Sequence, residues 1–133
     1  MSTNKTQNYQ LHVWEPGDDF LRTEFNENFA KLDQIPEVVT GMYTGDGETA
    51  RTIELGFRPQ AVLVADSAGA MKSSQASYGG LALDGYPVVH GGTTIVEVVD
   101  GGFQVARGYQ SGSSYYADTN ADGKEYHFLA LKG

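Results

Sequence analysis

Residues 118–123, Asp-Thr-Asn-Ala-Asp-Gly, have the spacing of a cation loop. Asp118, Asn120 and Asp122 put oxygen side chains at alternate positions, as a hard cation such as Ca2+ requires, and Gly123 permits the sharp turn. The last ligand of such a loop falls on Leu129, which has no oxygen to give, so Glu125 would have to close a shorter, irregular site. The same run also suits a strand-connecting turn, in which Asn and Gly satisfy the backbone. Asp118, Asn120 and Asp122 are thus the metal candidates. No cofactor is the plainer expectation, with Ca2+ the alternative.

Other chemistry-bearing patterns are weaker. Gly45-Asp46-Gly47-Glu48-Thr49-Ala50 matches the G-x-G-x-x-A dinucleotide fingerprint. That fingerprint needs a helix next, to hold a pyrophosphate at its N-terminus. Here the alternating RTIELGF follows, so a hairpin turn is expected. His12, His90 and His127 show no ligand spacing. Ser111, Ser113 and Ser114 lie in a Gly-rich loop without a G-x-S-x-G elbow. Glu97 and Asp100 form one of many acid pairs that seventeen acids make available for glycoside hydrolysis. They read as solvated turn and edge residues, and the chain is expected not to be an enzyme.

The most suggestive group is aromatic. Tyr109, Tyr115 and Tyr116 stand among Ser and Asp in GYQSGSSYYADTN, with Tyr78 and Tyr86 in a second loop-rich stretch. Tyrosine beside hydroxyl and amide groups offers amphipathic contact area at low entropy cost. A sugar ring can lay its apolar face there and give its hydroxyls to the neighbours. The competing reading puts Tyr115 and Tyr116 in alternation on a strand, one buried and one at a subunit contact.

The elements that must hold these residues follow from size and pattern. A chain of 133 residues suits one domain with a small appendage, and its 40% apolar content is near the globular norm. Seventeen acids against nine bases give −8, which disfavours nucleic acid and anionic membrane surfaces. Without cysteine there are no disulfides or thiolate metal sites. No apolar run reaches spanning length, and MSTNKTQNYQ has no apolar core, so neither membrane insertion nor a signal peptide is expected.

Residues 1–8 read as a frayed polar end and Tyr9, Leu11 and Val13 as a short extended piece. Asp18, Asp19 or Thr23 can cap a helix that carries Phe25, Phe29 and Leu32 on one face and stops at Pro36. That face is expected to pack on the chain's own β-domain or on the same helix of neighbouring subunits, which makes Phe25, Phe29 and Leu32 candidate oligomer contacts. After Pro36 the period changes to two. Strands are expected at 38–44, 52–57 and 61–65, the last apolar on both faces as in a covered central strand. A hairpin follows around Asp100-Gly101, and a last strand at 125–131 should lie inside the sheet. The fold class is therefore mainly β, a β-sandwich of possible jelly-roll type with a short N-terminal helical segment. The division is 1–36, an extended and helical connector, and 37–133, the β-sandwich domain.

Two sets of residues carry a resemblance. Trp14, Pro16, Asp18, Phe25, Asn26, Asn28, Phe29, Leu32 and Asp33 match the W-x-P-x-D and F-N-x-N-F-x-x-L/I-D elements of phage and prophage tail-fibre and minor tail proteins. Gly41 to Gly47, Arg51 to Val64 and Asn120 to Ala130 are similar to the distal domains of such fibres. The resemblance implies a virion structural protein made in a bacterial cytoplasm and located in the tail. It implies a homotrimer whose N-terminal segment meets other tail proteins. It further implies host adhesion, in which the β-domain binds a bacterial surface ligand, a glycan or a protein. A purely structural tail or baseplate component and a surface-polysaccharide hydrolase are the alternatives. Residues 71–114 match nothing in the family.

Overall fold

Phe25, Phe29 and Leu32 recur at helical spacing, and a helix forms there in a chain that is otherwise mainly β. The structure is a computed structural model that describes residues 1–109 and 116–133. Contacts divide the chain into two units, Met1–Pro36 and Glu37–Gly133.

In the first unit, β1 (Asn4–Lys5) pairs antiparallel with β2 (His12–Val13), and α1 (Arg22–Asp33) follows. The first eight residues are therefore not frayed. Leu21 is the N-cap of α1 and makes no side-chain cap bond, which replaces the expected Asp18, Asp19 or Thr23. Asp18 is engaged elsewhere: its carboxylate accepts the amides of Thr3 and Glu15, each at 2.8 Å, and so closes the chain on itself.

The helix turns its polar side to the ribbon. Asn28 brackets the His12 backbone, accepting its amide at 2.7 Å and donating to its carbonyl at 3.1 Å, much as a neighbouring strand would. Glu24, only 6% exposed, accepts the Ser2 amide at 2.8 Å and lies 3.0 Å from His12 Nδ1. Glu27 lies 2.6 Å from His12 Nε2. Phe25, Phe29 and Leu32 stay exposed. They continue an aromatic row in which the Trp14–Phe20, Phe20–Phe25 and Phe25–Phe29 centroids are 4.7, 5.3 and 4.7 Å apart.

The second unit holds β3 (Glu37–Thr44), β4 (Ala50–Glu54), β5 (Ala61–Asp66), β6 (Ala76–Ser77), β7 (Gly80–Leu83), β8 (Val88–His90), β9 (Thr93–Val99), β10 (Gly102–Tyr109), β11 (Tyr116–Asp118) and β12 (Glu125–Lys132). One sheet has the order β3-β12-β5-β7. The other runs β6-β11-β10-β9-β8, with β4 beside the first part of β10. Both contribute to one core, through Tyr43, Val62, Val64, Tyr126 and Ala130 from the first and Ile53, Ile95, Val98, Phe103 and Val105 from the second. This is a β-sandwich, as expected. The last strand does lie inside its sheet, between β3 and β5. Gly41 leaves room for the Phe128 ring: a Cβ there would stand 2.6 Å from its Cζ, and the ring would have to shift.

The alternation on β3, β5, β7 and β12 has a second consequence. Tyr43, Val62, Ala82 and Tyr126 face the core, so Val38, Met42, Leu63, Leu81 and Leu129 face outward. The ladder places Met42 beside His127 and Ala65, and Leu129 beside Thr40 and Leu63. The expectation that β5 is covered on both faces fails here, since its outer neighbours Leu81 and Leu129 are exposed.

Three carboxylates hold the first unit in their charged form. Hydrogen bonding from Thr3 lowers Asp18, and hydrogen bonding from His12 lowers Glu27. For Glu24, burial pushes the carboxyl up, but the Ser2 bonds and the nearby His12 and N-terminal charges bring it below its ordinary value. Their stabilisation is therefore full above the ordinary carboxylate range and disappears as pH falls through the lowered values. Trp14 is the chain's single tryptophan and reports this unit. Its emission is expected to shift as pH falls below about 4. Emission constant down to strong acid would contradict the assignment.

Candidate functional site

Asn120 organises one end of the sandwich. It is fully buried between two turns that are far apart in sequence. Its Nδ2 donates to Asp46 Oδ1 at 2.6 Å and to the Glu48 carbonyl at 3.1 Å, and its Oδ1 accepts the Asp46 amide at 3.2 Å. The backbones join as well: Gly47 N donates to the Asn120 carbonyl, Gly45 N to the Lys124 carbonyl and Gly123 N to the Gly45 carbonyl, at 2.8–3.0 Å. Only glycine fits at 45, where a Cβ would lie 2.1 Å from the Ala121 oxygen.

Beneath this clasp, Thr119 is fully buried and donates through Oγ1 to the Ile95 carbonyl at 2.5 Å. Tyr43 OH donates to the Thr119 carbonyl at 2.7 Å, and Tyr126 OH accepts the Ala121 amide at 3.1 Å. The two tyrosine rings stack at 5.1 Å. Burial raises both phenols above their ordinary value, so they stay neutral, Tyr43 as a donor and Tyr126 as an acceptor.

The cation-loop candidates are used inside this arrangement. Asp118 accepts Arg107 Nε on one oxygen and the Asn120 amide on the other, at 2.8 and 2.9 Å. The Asn120 oxygen faces Asp46 N. Asp122 is exposed, with its Cβ beside Gly47, and Glu125 belongs to the ladder opposite Thr44. The oxygens of Asp118 and Asn120 are therefore taken up by hydrogen bonds within the chain. Among the described residues no group of three or more His, Asp or Glu is placed to hold a metal. Gly45-Asp46-Gly47 is followed by β4, so the dinucleotide pattern is a turn. Asp100 pairs with Arg58 at 2.9 Å, and Arg58 also reaches Asp84 at 2.8 Å.

The five candidate tyrosines do not gather in one place. Tyr78 is half-buried against the core, with the Lys124 ammonium 4.1 Å from its ring centroid. It follows β6, which pairs with β11. Tyr109 and Tyr116 are register partners where β10 and β11 meet. Tyr115 lies outside the described residues. Tyr86 is 73% exposed on the β7–β8 turn, beside the Arg58–Asp84 pair. That turn is at the other end of β5, about 20 Å away along a six-residue strand. Tyr78 and the strand ends of Tyr109 and Tyr116 thus share the Asn120 end, and Tyr86 does not.

Sequence reasoning missed Lys124 and the Asn120 clasp. The Asn-x-x-Gly spacing signalled a turn, and no local pattern named its partner across the sandwich. The expected cost of Asn120→Ala is about 2 kcal/mol in urea unfolding, because the Asp46 amide and carboxylate lose their buried partner. Addition of Ca2+ or of a chelator is expected to leave the melting temperature unchanged. A rise with Ca2+ would show that the loop oxygens rearrange to bind it.

No family model, curated protein or solved structure matches the chain.

Proposed function

We propose that this chain is a non-enzymatic, phage or prophage tail-fibre-like structural protein whose β-sandwich binds a bacterial surface glycan. The end of the sandwich at Asn120 is the binding surface, in several copies per particle. A trimer in the virion tail is what the resemblance implies, and multiple copies would multiply a weak single contact. The observation that supports the reading is the placement of Tyr78, Lys124 and the paired ends of β10 and β11 around one hydrogen-bonded platform. A rigid support of this kind lowers the entropy cost of capturing a flexible sugar. The lysine and tyrosine supply donors, and the aromatic edges supply apolar contact.

A scaffold reading without ligand binding is favoured by a different observation, the exposed apolar outer face of the β3-β12-β5-β7 sheet. That reading assigns the surface residues to packing between proteins.

Glycan-array and whole-cell binding separate the two. The adhesin reading expects Tyr78→Phe with Lys124→Ala to weaken binding about tenfold, while Tyr86→Ser at the far end has no effect. An oligomer that binds no glycan and no cell would favour the scaffold. Binding lost only with Tyr86→Ser would move the site to the other end.

A further inference from the structure

We propose that the outer face of the β3-β12-β5-β7 sheet is a subunit interface that packs against the same face of another copy of this chain. An antiparallel sheet with one solvated face ordinarily alternates apolar inside with polar outside. This sheet does not. Val38, Met42 and Leu81 point outward and are 57%, 53% and 57% exposed, and Leu83 and Leu129 are 45% and 40% exposed. Those five residues leave on the order of 450 Å² exposed, the size of the largest patch on a typical monomer, which is often functional.

Charge selects the occupant. Of the whole chain 20% is charged, and the net charge is −8. Between Val38 and Met42 on β3, Ala61 and Ala65 on β5, Leu81 and Leu83 on β7, and His127 and Leu131 on β12, no outward position carries Asp, Glu, Lys or Arg. Glu125 stands only at the border, opposite Thr44. Two copies of an acidic chain repel across most of their surfaces, and the repulsion is least where neither side is charged. A basic partner would instead be expected to meet acids, and this face has none inside its border. The face also has relief: a hollow of about 430 Å³ opens between Met42, Leu63, His127 and Leu129, so side chains of a facing sheet can interdigitate.

The inference differs from the expectation that Phe25, Phe29 and Leu32 of α1 make the subunit contacts. It holds whether or not the Asn120 end binds a glycan.

Light scattering coupled to size exclusion on the full chain tests it. The expected mass is at least twice the 14.4 kDa of one chain. Met42→Glu and Leu81→Glu, at exposed positions, are each expected to bring it to 14.4 kDa with an unchanged β-type circular dichroism spectrum. Phe29→Ser is expected to keep the oligomer. A wild-type monomer at the highest concentration reached would overturn the proposal. So would folded Met42→Glu and Leu81→Glu variants that stay oligomeric, or an oligomer that Phe29→Ser alone dissociates.

Discussion

One buried amide does the work of a covalent tie. Asn120 joins the turn after β3 to the turn before β12, across 74 residues of sequence. Those two strands are ladder neighbours over their whole length, so the clasp fixes the register at the point where pairing ends. A slip of one residue there would turn either Tyr43 or Tyr126 out of the core and bring Met42 or His127 in. The clasp also leaves Thr119 buried with its hydroxyl bonded to β9, which ties the same turn to the second sheet. Both layers of the sandwich therefore depend on the geometry of residues 118–124. The polar groups involved are worth little individually when satisfied and cost much when orphaned, so the arrangement stabilises as a set.

This accounts for what the end of the sandwich can be used for. A loop cluster held from below by buried hydrogen bonds can present side chains without ordering them first. Lys124 illustrates it. Its carbonyl is bonded to Gly45 and its ammonium rests over Tyr78 and within 4.0 Å of Asp66. The opposite end is tied by exposed ion pairs around Arg58, which contribute less and are screened by salt. The two ends of one sandwich are thus tied differently, the Asn120 end by buried hydrogen bonds and the other by exposed ion pairs.

The parts legible in the sequence were those set by local rules. Period-two alternation located β4, the run apolar on both faces located β5, and the Asp-Gly turn located the β9–β10 hairpin. The Phe spacing located α1, but not which side of it faces the ribbon. Asn28 and Glu24 carry that contact because the ribbon needs donors and acceptors rather than apolar area. The apolar outer face was misread for a related reason. A strand apolar on both sides looks the same in sequence whether or not a second layer of the same chain covers its outer face. The Asn120 clasp was hidden because its partners, Asp46 and Glu48, are distant in sequence, and spacing within either turn says nothing of the other. The Asp-x-Asn-x-Asp pattern suggested a cation because the same oxygens that ligate metals also cap turns.

Amide hydrogen exchange tests the central claim, that Asn120 locks the two turns into the folded core. The amides of Gly45, Asp46 and Gly47 are predicted to exchange as slowly as those of β12, and to lose that protection in Asn120→Ala while β9 keeps its own. Rapid exchange at 45–47 in the wild-type chain, with β12 still protected, would contradict it.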